Sequence, residues 1–109
     1  MDMPLDEDKL DELLEGIKQT LMKKNALYGD AVFEFGEHGI LIRAYDKAKR
    51  LMTLLGNRSW VLQQQLIANG EEYEAMLDDA WLDLAGYAIL ALYFRRWLRH
   101  EVFGRNGHR

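Results

Sequence analysis

The chain has no cysteine and one proline among its 109 residues. Without cysteine there is no disulfide framework and no thiolate metal site. One proline, together with little of the apolar–polar alternation that marks half-buried strands, leaves helices as the main way to organise the chain. His38, His100 and His108 are scattered, and none has metal-ligand spacing to another. No glycine-rich phosphate loop, nucleophile elbow or Ser/His/Asp set is visible. The longest apolar run, residues 84–94, is too short to span a bilayer. The opening stretch MDMPLDEDKLDE is acidic where an export signal needs cations. These absences favour a cytoplasmic domain with no membrane partner.

What is present is ordinary for a globular protein: 49% hydrophobic and 29% charged residues. That suits a single helical domain over 1–109, with residues 104–109 as a short basic tail. The formal net charge of −4 argues against direct nucleic-acid binding, whose footprint is usually basic. The end of the chain, RRWLRHEVFGRNGHR, is locally basic and leaves room for a small anionic partner.

Apolar periodicity predicts a first helix over 6–24, where Leu10, Leu13, Leu14, Ile17 and Leu21 form one stripe. Pro4 and Asp6 fit its start, and Lys23 and Lys24 its end. NALYGDAVFEFGEHG then reads as a structured connection with a short helix over 30–35, preferred to a strand at AVFEF. A second helix over 38–55 has Leu41, Ala44, Ala48, Leu51, Met52 and Leu55 on its apolar side. Arg43, Asp46, Lys47 and Arg50 fall within one arc on the opposite side. Gly56 suits a C′ position and Ser59 an N-cap, opening a short helix over 60–68 that ends at Asn69 and Gly70. The last helix runs from about 71 to 103. Long helices with short connections predict a small all-α antiparallel bundle of four to five helices.

The last helix raises a question, because acids stand inside its apolar pattern. Glu72, Asp79 and Asp83 are separated by seven and four residues and stack within about 40° of one another. That face continues into Gly86, Tyr87, Leu90 and Phe94. Ordinary acidic decoration of a helix start accounts for Glu71, Glu72 and Glu74, but the dipole effect fades after the first turn and does not reach Asp83. A buried ion pair with a base on another helix is one explanation for Asp83. A Mg²⁺ site is another, since Mg²⁺ commonly takes one or two carboxylates together with substrate phosphates. Glu34 and Glu37 form a second acidic pair, which shares a face if the segment is helical and is a solvated turn otherwise.

Arg43, Asp46, Lys47 and Arg50 mix signs, so a solvent-facing helix with local ion pairs is the plain reading. Joined with Lys23, Lys24 and Asn25, the cations would instead receive a polyphosphate beside a carboxylate-bound metal. Tyr28, Tyr87 or Trp81 could stack on a base, although aromatic residues at helical spacing are more often core.

Three segments line up in order: KKNALYGDAVFEFGEHG, ILIRAYDKAKRLMTLL and DDAWLDLAGYAILAL. Together they resemble the small helical nucleotide-modification-associated domain family of phages and bacteria, the first-numbered of those domains. The residues that carry the resemblance are Lys24, Asn25, Tyr28 and Gly29, then Ile42, Arg43, Asp46, Lys47, Arg50 and Leu51, then Asp79, Asp83, Leu84, Ala85, Tyr87 and Ala88. The match covers roughly residues 10–94. More distantly, the family resembles the MazG-like all-α nucleoside-triphosphate pyrophosphatases, which bind Mg²⁺ through paired acids on facing helices and assemble as dimers or higher oligomers.

The resemblance implies an all-α NTP-pyrophosphatase-like fold and a bacterial or phage-infected cytoplasm. It implies a homodimer or higher homo-oligomer that hydrolyses a (d)NTP or modified nucleotide to the monophosphate and pyrophosphate. Glu34, Glu37, Asp79 and Asp83 would serve as metal ligands and catalytic acids. Lys24, Asn25, Tyr28, Arg43, Asp46, Lys47, Arg50 and Tyr87 would bind the substrate. One departure stands out: residue 80 is Ala, so Asp79 would have to replace the acid the wider pattern places three residues before Asp83. The alternative is a module that holds a nucleotide without cleaving it, in phage DNA modification or phage–host conflict. A purely structural helical partner is a third reading.

Overall fold

A computed structural model describes residues 4–63 and 70–103. The chain is all-α, and no strand occurs among the described residues. Its contacts divide into two compact units, residues 1–31 and 32–109.

The first unit is built on α1 (Glu7–Tyr28). Asp6 caps it, its carboxylate accepting from the N–H groups of Asp8 (2.9 Å) and Lys9 (3.3 Å). The helix runs one turn beyond the expected end near Lys24 because nothing between Lys23 and Tyr28 breaks it. Gly29 does, at φ 65°, with its N–H donating to the Asn25 carbonyl (2.7 Å). Asn25 and Tyr28 therefore lie on the last turn of a helix, where the sequence pointed to a connection, and Lys24 lies just before that turn rather than at the helix end. Ile17 is buried, and Leu13 and Leu14 from the same stripe are exposed.

A 3₁₀ turn, Ala31–Phe33, inside the short helix expected over 30–35, spans the boundary at which the second unit begins. The second unit continues with α2 (Gly36–Gly56), α3 (Arg58–Gln63), α4 (Gly70–Leu98) and a π-helical turn, Arg99–Phe103. Gly36 begins α2 at φ 68°, a left-handed conformation that lets the chain turn sharply into the helix. Gly56 ends α2 without a positive φ, and Asn57 rather than Ser59 opens α3, its side-chain oxygen accepting from the Trp60 N–H (2.9 Å). The Asn side chain reaches the third residue on, so Ser59 is already inside the first turn. The far end of α3, the expected stop at Asn69 and the basic tail at 104–109 lie outside the described residues.

α2 and α4 pack along each other and run antiparallel. Residue 37 pairs with 95, residue 47 with 83, and residue 54 with 73. At the closed end, Leu54, Val61 and Tyr73 are buried together, with Met76 and Leu77 against them. The Tyr73 hydroxyl donates to the Leu54 carbonyl, and the Arg58 guanidinium lies 5.0 Å from the Tyr73 ring centroid. The phenol thus buries its ring while satisfying its polar tip on an α2 carbonyl. At the other end, Phe33 stacks on Phe94, with ring centroids 5.9 Å apart.

Candidate functional site

Where the two helices meet, one flank of α2 carries Arg43, Lys47 and Arg50, a row produced by steps of four and three residues. The other flank carries Leu41, Ala48, Met52 and Leu55, about 150° away around the axis. α4 repeats the division, with Asp79 and Asp83 on one side and Trp81 on the other. The seam between the helices therefore separates a charged face from an apolar one.

The charged face centres on a contact between helices. Lys47 Nζ lies 3.1 Å from an Asp83 carboxylate oxygen, and each side chain is 27% exposed. This is why an acid is tolerated inside the apolar pattern of α4: a base from the facing helix meets it as both leave bulk water. One turn along the antiparallel register brings Arg43 to the level of Tyr87. In the other direction it brings Arg50 to about the level of Asp79. Asp79 precedes Asp83 by one turn on the same face of α4 and is exposed. Asp46 is also exposed, one residue before Lys47. Arg43, Lys47, Arg50, Asp79, Asp83 and Tyr87 thus occupy one stretch of the helix pair.

Glu34 and Glu37 occupy another. Glu34 lies in the turn before α2, whereas Glu37 is in the first turn of that helix, so the two do not share a helix face. Glu37 accepts a hydrogen bond from Arg95 (2.8 Å), an α4 residue that the sequence did not single out. Ten residues separate Glu37 from Lys47, about 15 Å along the helix axis. Lys24, Asn25 and Tyr28 belong to the first unit. Among the described residues no three acids or histidines gather on one point.

For a hard cation this donor set has a definite size. Asp79 and Asp83 supply carboxylates one turn apart, which fits an ion that takes one or two protein oxygens and completes its shell from substrate phosphates. It does not amount to a four-carboxylate cage within one helix pair, because Glu34 and Glu37 stand at the other end of α2. The chain matches no protein-family model, no curated protein and no solved structure.

On the opposite face, Ala48, Leu51, Met52 and Leu55 of α2 and Trp81 and Leu84 of α4 line an open groove of about 500 Å³. Periodicity assigned Leu41, Met52 and Leu55 to the apolar side of the second helix, which they do form. They nevertheless remain exposed, Met52 at 74%, because α4 covers only the arc around Ile40, Leu51 and Leu54. Among the described residues no helix is long and apolar enough to cross a membrane.

Proposed function

We propose that the charged face of the α2–α4 pair binds a nucleotide polyphosphate and that the protein hydrolyses a (d)NTP or modified nucleotide to the monophosphate and pyrophosphate with Mg²⁺. The observation that carries this reading is the Lys47–Asp83 pair, flanked by Arg43 and Arg50 on one helix and by Asp79 on the other. Bases and acids at matching levels suit an anionic substrate that arrives with a cation. Arg43 and Arg50 would hold phosphate oxygens through paired N–H donors, and Lys47 would act as a point charge. Asp79 and Asp83 would hold Mg²⁺, which when bound neutralises phosphate charge and favours attack on phosphorus. Lys47 would then pass from Asp83 to a phosphate, so that the ion pair keeps both groups in position until substrate arrives.

The apolar face supports self-association as part of the same reading. Met52, Leu55 and Trp81 line the open groove and are each more than half exposed, and exposed apolar side chains gathered around a groove are what a second copy would cover. In a homodimer or higher homo-oligomer, Glu34 and Glu37 of one copy would be available to the site of another. A second reading, binding without hydrolysis, is favoured by one specific observation: Arg95 engages Glu37 about 15 Å along α2 from Lys47.

The test is pyrophosphate release from a panel of canonical and modified (d)NTPs, run alongside thermal shift with and without Mg²⁺. Release that disappears in Asp83→Asn, in a variant that still melts cooperatively, supports the enzyme. Nucleotide-dependent stabilisation without release supports the binder. Neither release nor a shift in melting temperature refutes both and leaves a structural helical partner.

A further inference from the structure

Charge and rings are distributed unevenly along this chain. Residues 95–109 carry five arginines and one acid, whereas residues 1–94 carry nine cations and seventeen acids. Aromatic side chains collect where the basic stretch begins. Phe33 stacks on Phe94 at 5.9 Å with 15° between the ring planes. Its ring centroid lies 6.4 Å from that of Tyr93, and Phe94 lies 6.1 Å from Trp97. A ring cluster that served only to pack the helix ends would bury its members. Here Tyr93 is 66% exposed and Trp97 50%.

The cations share the surface with these rings. Arg96 projects about 60° from Tyr93 and about 100° from Trp97 around the helix axis. Arg99 follows within a turn, and both arginines are exposed. Arg95 is engaged by Glu37, while among the described residues no ion pair engages Arg96 or Arg99. The underlying Phe33–Phe94 stack holds the backbone that presents Tyr93 and Trp97, so the exposed rings stand on a fixed base.

We propose that this end of the α2–α4 pair is a stacking platform for single-stranded nucleic acid. Tyr93 and Trp97 take unpaired bases on their faces, and Arg96 and Arg99 meet the backbone phosphates between them. Alternation of rings and guanidinium groups over two helical turns matches the repeat of a single strand, in which base and phosphate also alternate. A helix that lies on a bilayer instead separates a continuous apolar face from a cationic one, and here exposed Leu92 stands one turn from Arg96 on the same side of the helix. A duplex offers no exposed base faces to the rings. The platform is separate from the charged face, since Trp97 and Asp83 lie about 20 Å apart along α4. The overall acidity of the chain limits the affinity but not the local field, because the acids lie mainly before residue 95.

The experiment is fluorescence anisotropy of labelled oligothymidylate and oligouridylate with the full chain. Duplex DNA of equal length and phosphatidylglycerol vesicles serve as comparators. Micromolar binding of single strands is expected, weakening with salt at a logarithmic slope of about −1.4 for two phosphate contacts. Trp97→Ala should lower the affinity about five- to hundredfold through lost stacking. Arg96→Glu should lower it about tenfold and flatten the salt slope. Both positions are exposed, and circular dichroism checks that helicity is retained. The proposal is overturned if single strands do not bind at low salt, if duplex binds as tightly, if Trp97→Ala leaves the affinity unchanged, or if only the vesicles bind.

Discussion

The two faces of the α2–α4 seam are made by the same two helices, but they meet water in different ways. On the charged face, Lys47 and Asp83 approach to 3.1 Å and both become partly buried, so each offsets part of the other's desolvation cost. On the apolar face, Met52, Leu55 and Trp81 stay exposed around an open groove, with no comparable closure from the facing helix. The difference teaches that a helix pair this small buries only the arc on which its helices touch. A residue beside that arc needs either a charge partner or a second surface. The charged flank finds its partner within the pair, whereas the apolar flank stays exposed around its groove.

The largest effect should come from breaking the seam beneath both faces. Tyr73→Ala removes a buried ring and its hydrogen bond to the Leu54 carbonyl. It should cost about 3–5 kcal/mol, read as a lower urea midpoint, and should weaken both faces together. Tyr73→Phe keeps the ring and should cost only about 1 kcal/mol.

Breaking the charged face alone should cost less. Asp83→Ala strands the Lys47 ammonium in a half-buried position and should destabilise by about 1–2 kcal/mol, between the exposed and the fully buried cases. The double variant Lys47→Met with Asp83→Leu should recover most of that loss in the same denaturation assay if the pair is a packing device. Activity or nucleotide binding lost in the double variant would then mark the pair as functional as well.

The apolar face should respond in assembly rather than in folding. Met52→Glu combined with Trp81→Glu should weaken self-association at least tenfold, about 1.4 kcal/mol, by sedimentation velocity. Its effect on unfolding of the monomer should stay within about 0.5 kcal/mol for each exposed position. An unchanged sedimentation coefficient would remove the distinction between the two faces. The smallest effect belongs to Glu37→Gln, which breaks a half-exposed pair with Arg95 and should cost under about 1 kcal/mol in thermal melts.

Much of this architecture was legible from residue patterns. The 3.6-residue spacing located every long helix, and Asp6 marked the start of α1. The ends were less legible. α1 continues through Asn25 and Tyr28 because helix termination there waits for Gly29, and the Asn57 cap precedes the expected Ser59 by two residues. The wheel of α4 set Glu72, Asp79 and Asp83 on a face leading to the interior; only Asp83 is partly covered there, Glu72 and Asp79 being exposed, and the identity of its partner could not follow from one helix. A base at any of several α2 positions would have satisfied the pattern, and register selected Lys47. The Glu34–Glu37 spacing left a helical pair and a solvated turn both open, with the turn the plainer reading. The left-handed turn at Gly36 separates the two residues, and a positive φ leaves only a faint mark in sequence. The Phe33–Phe94 stack was likewise invisible, since it joins positions 61 residues apart.

By itself, then, the sequence determined that the chain is all-α, where its long helices lie, and which residues on each helix share a face. These follow from local periodicity and from sparse helix breakers. The tertiary structure alone decided that Lys47 meets Asp83, that Glu37 goes to Arg95, and that Leu41, Met52 and Leu55 remain exposed. The physical reason is that partner choice depends on the antiparallel register and on how narrow an arc one helix can cover on another. Neither quantity is written in the spacing of residues along a single helix.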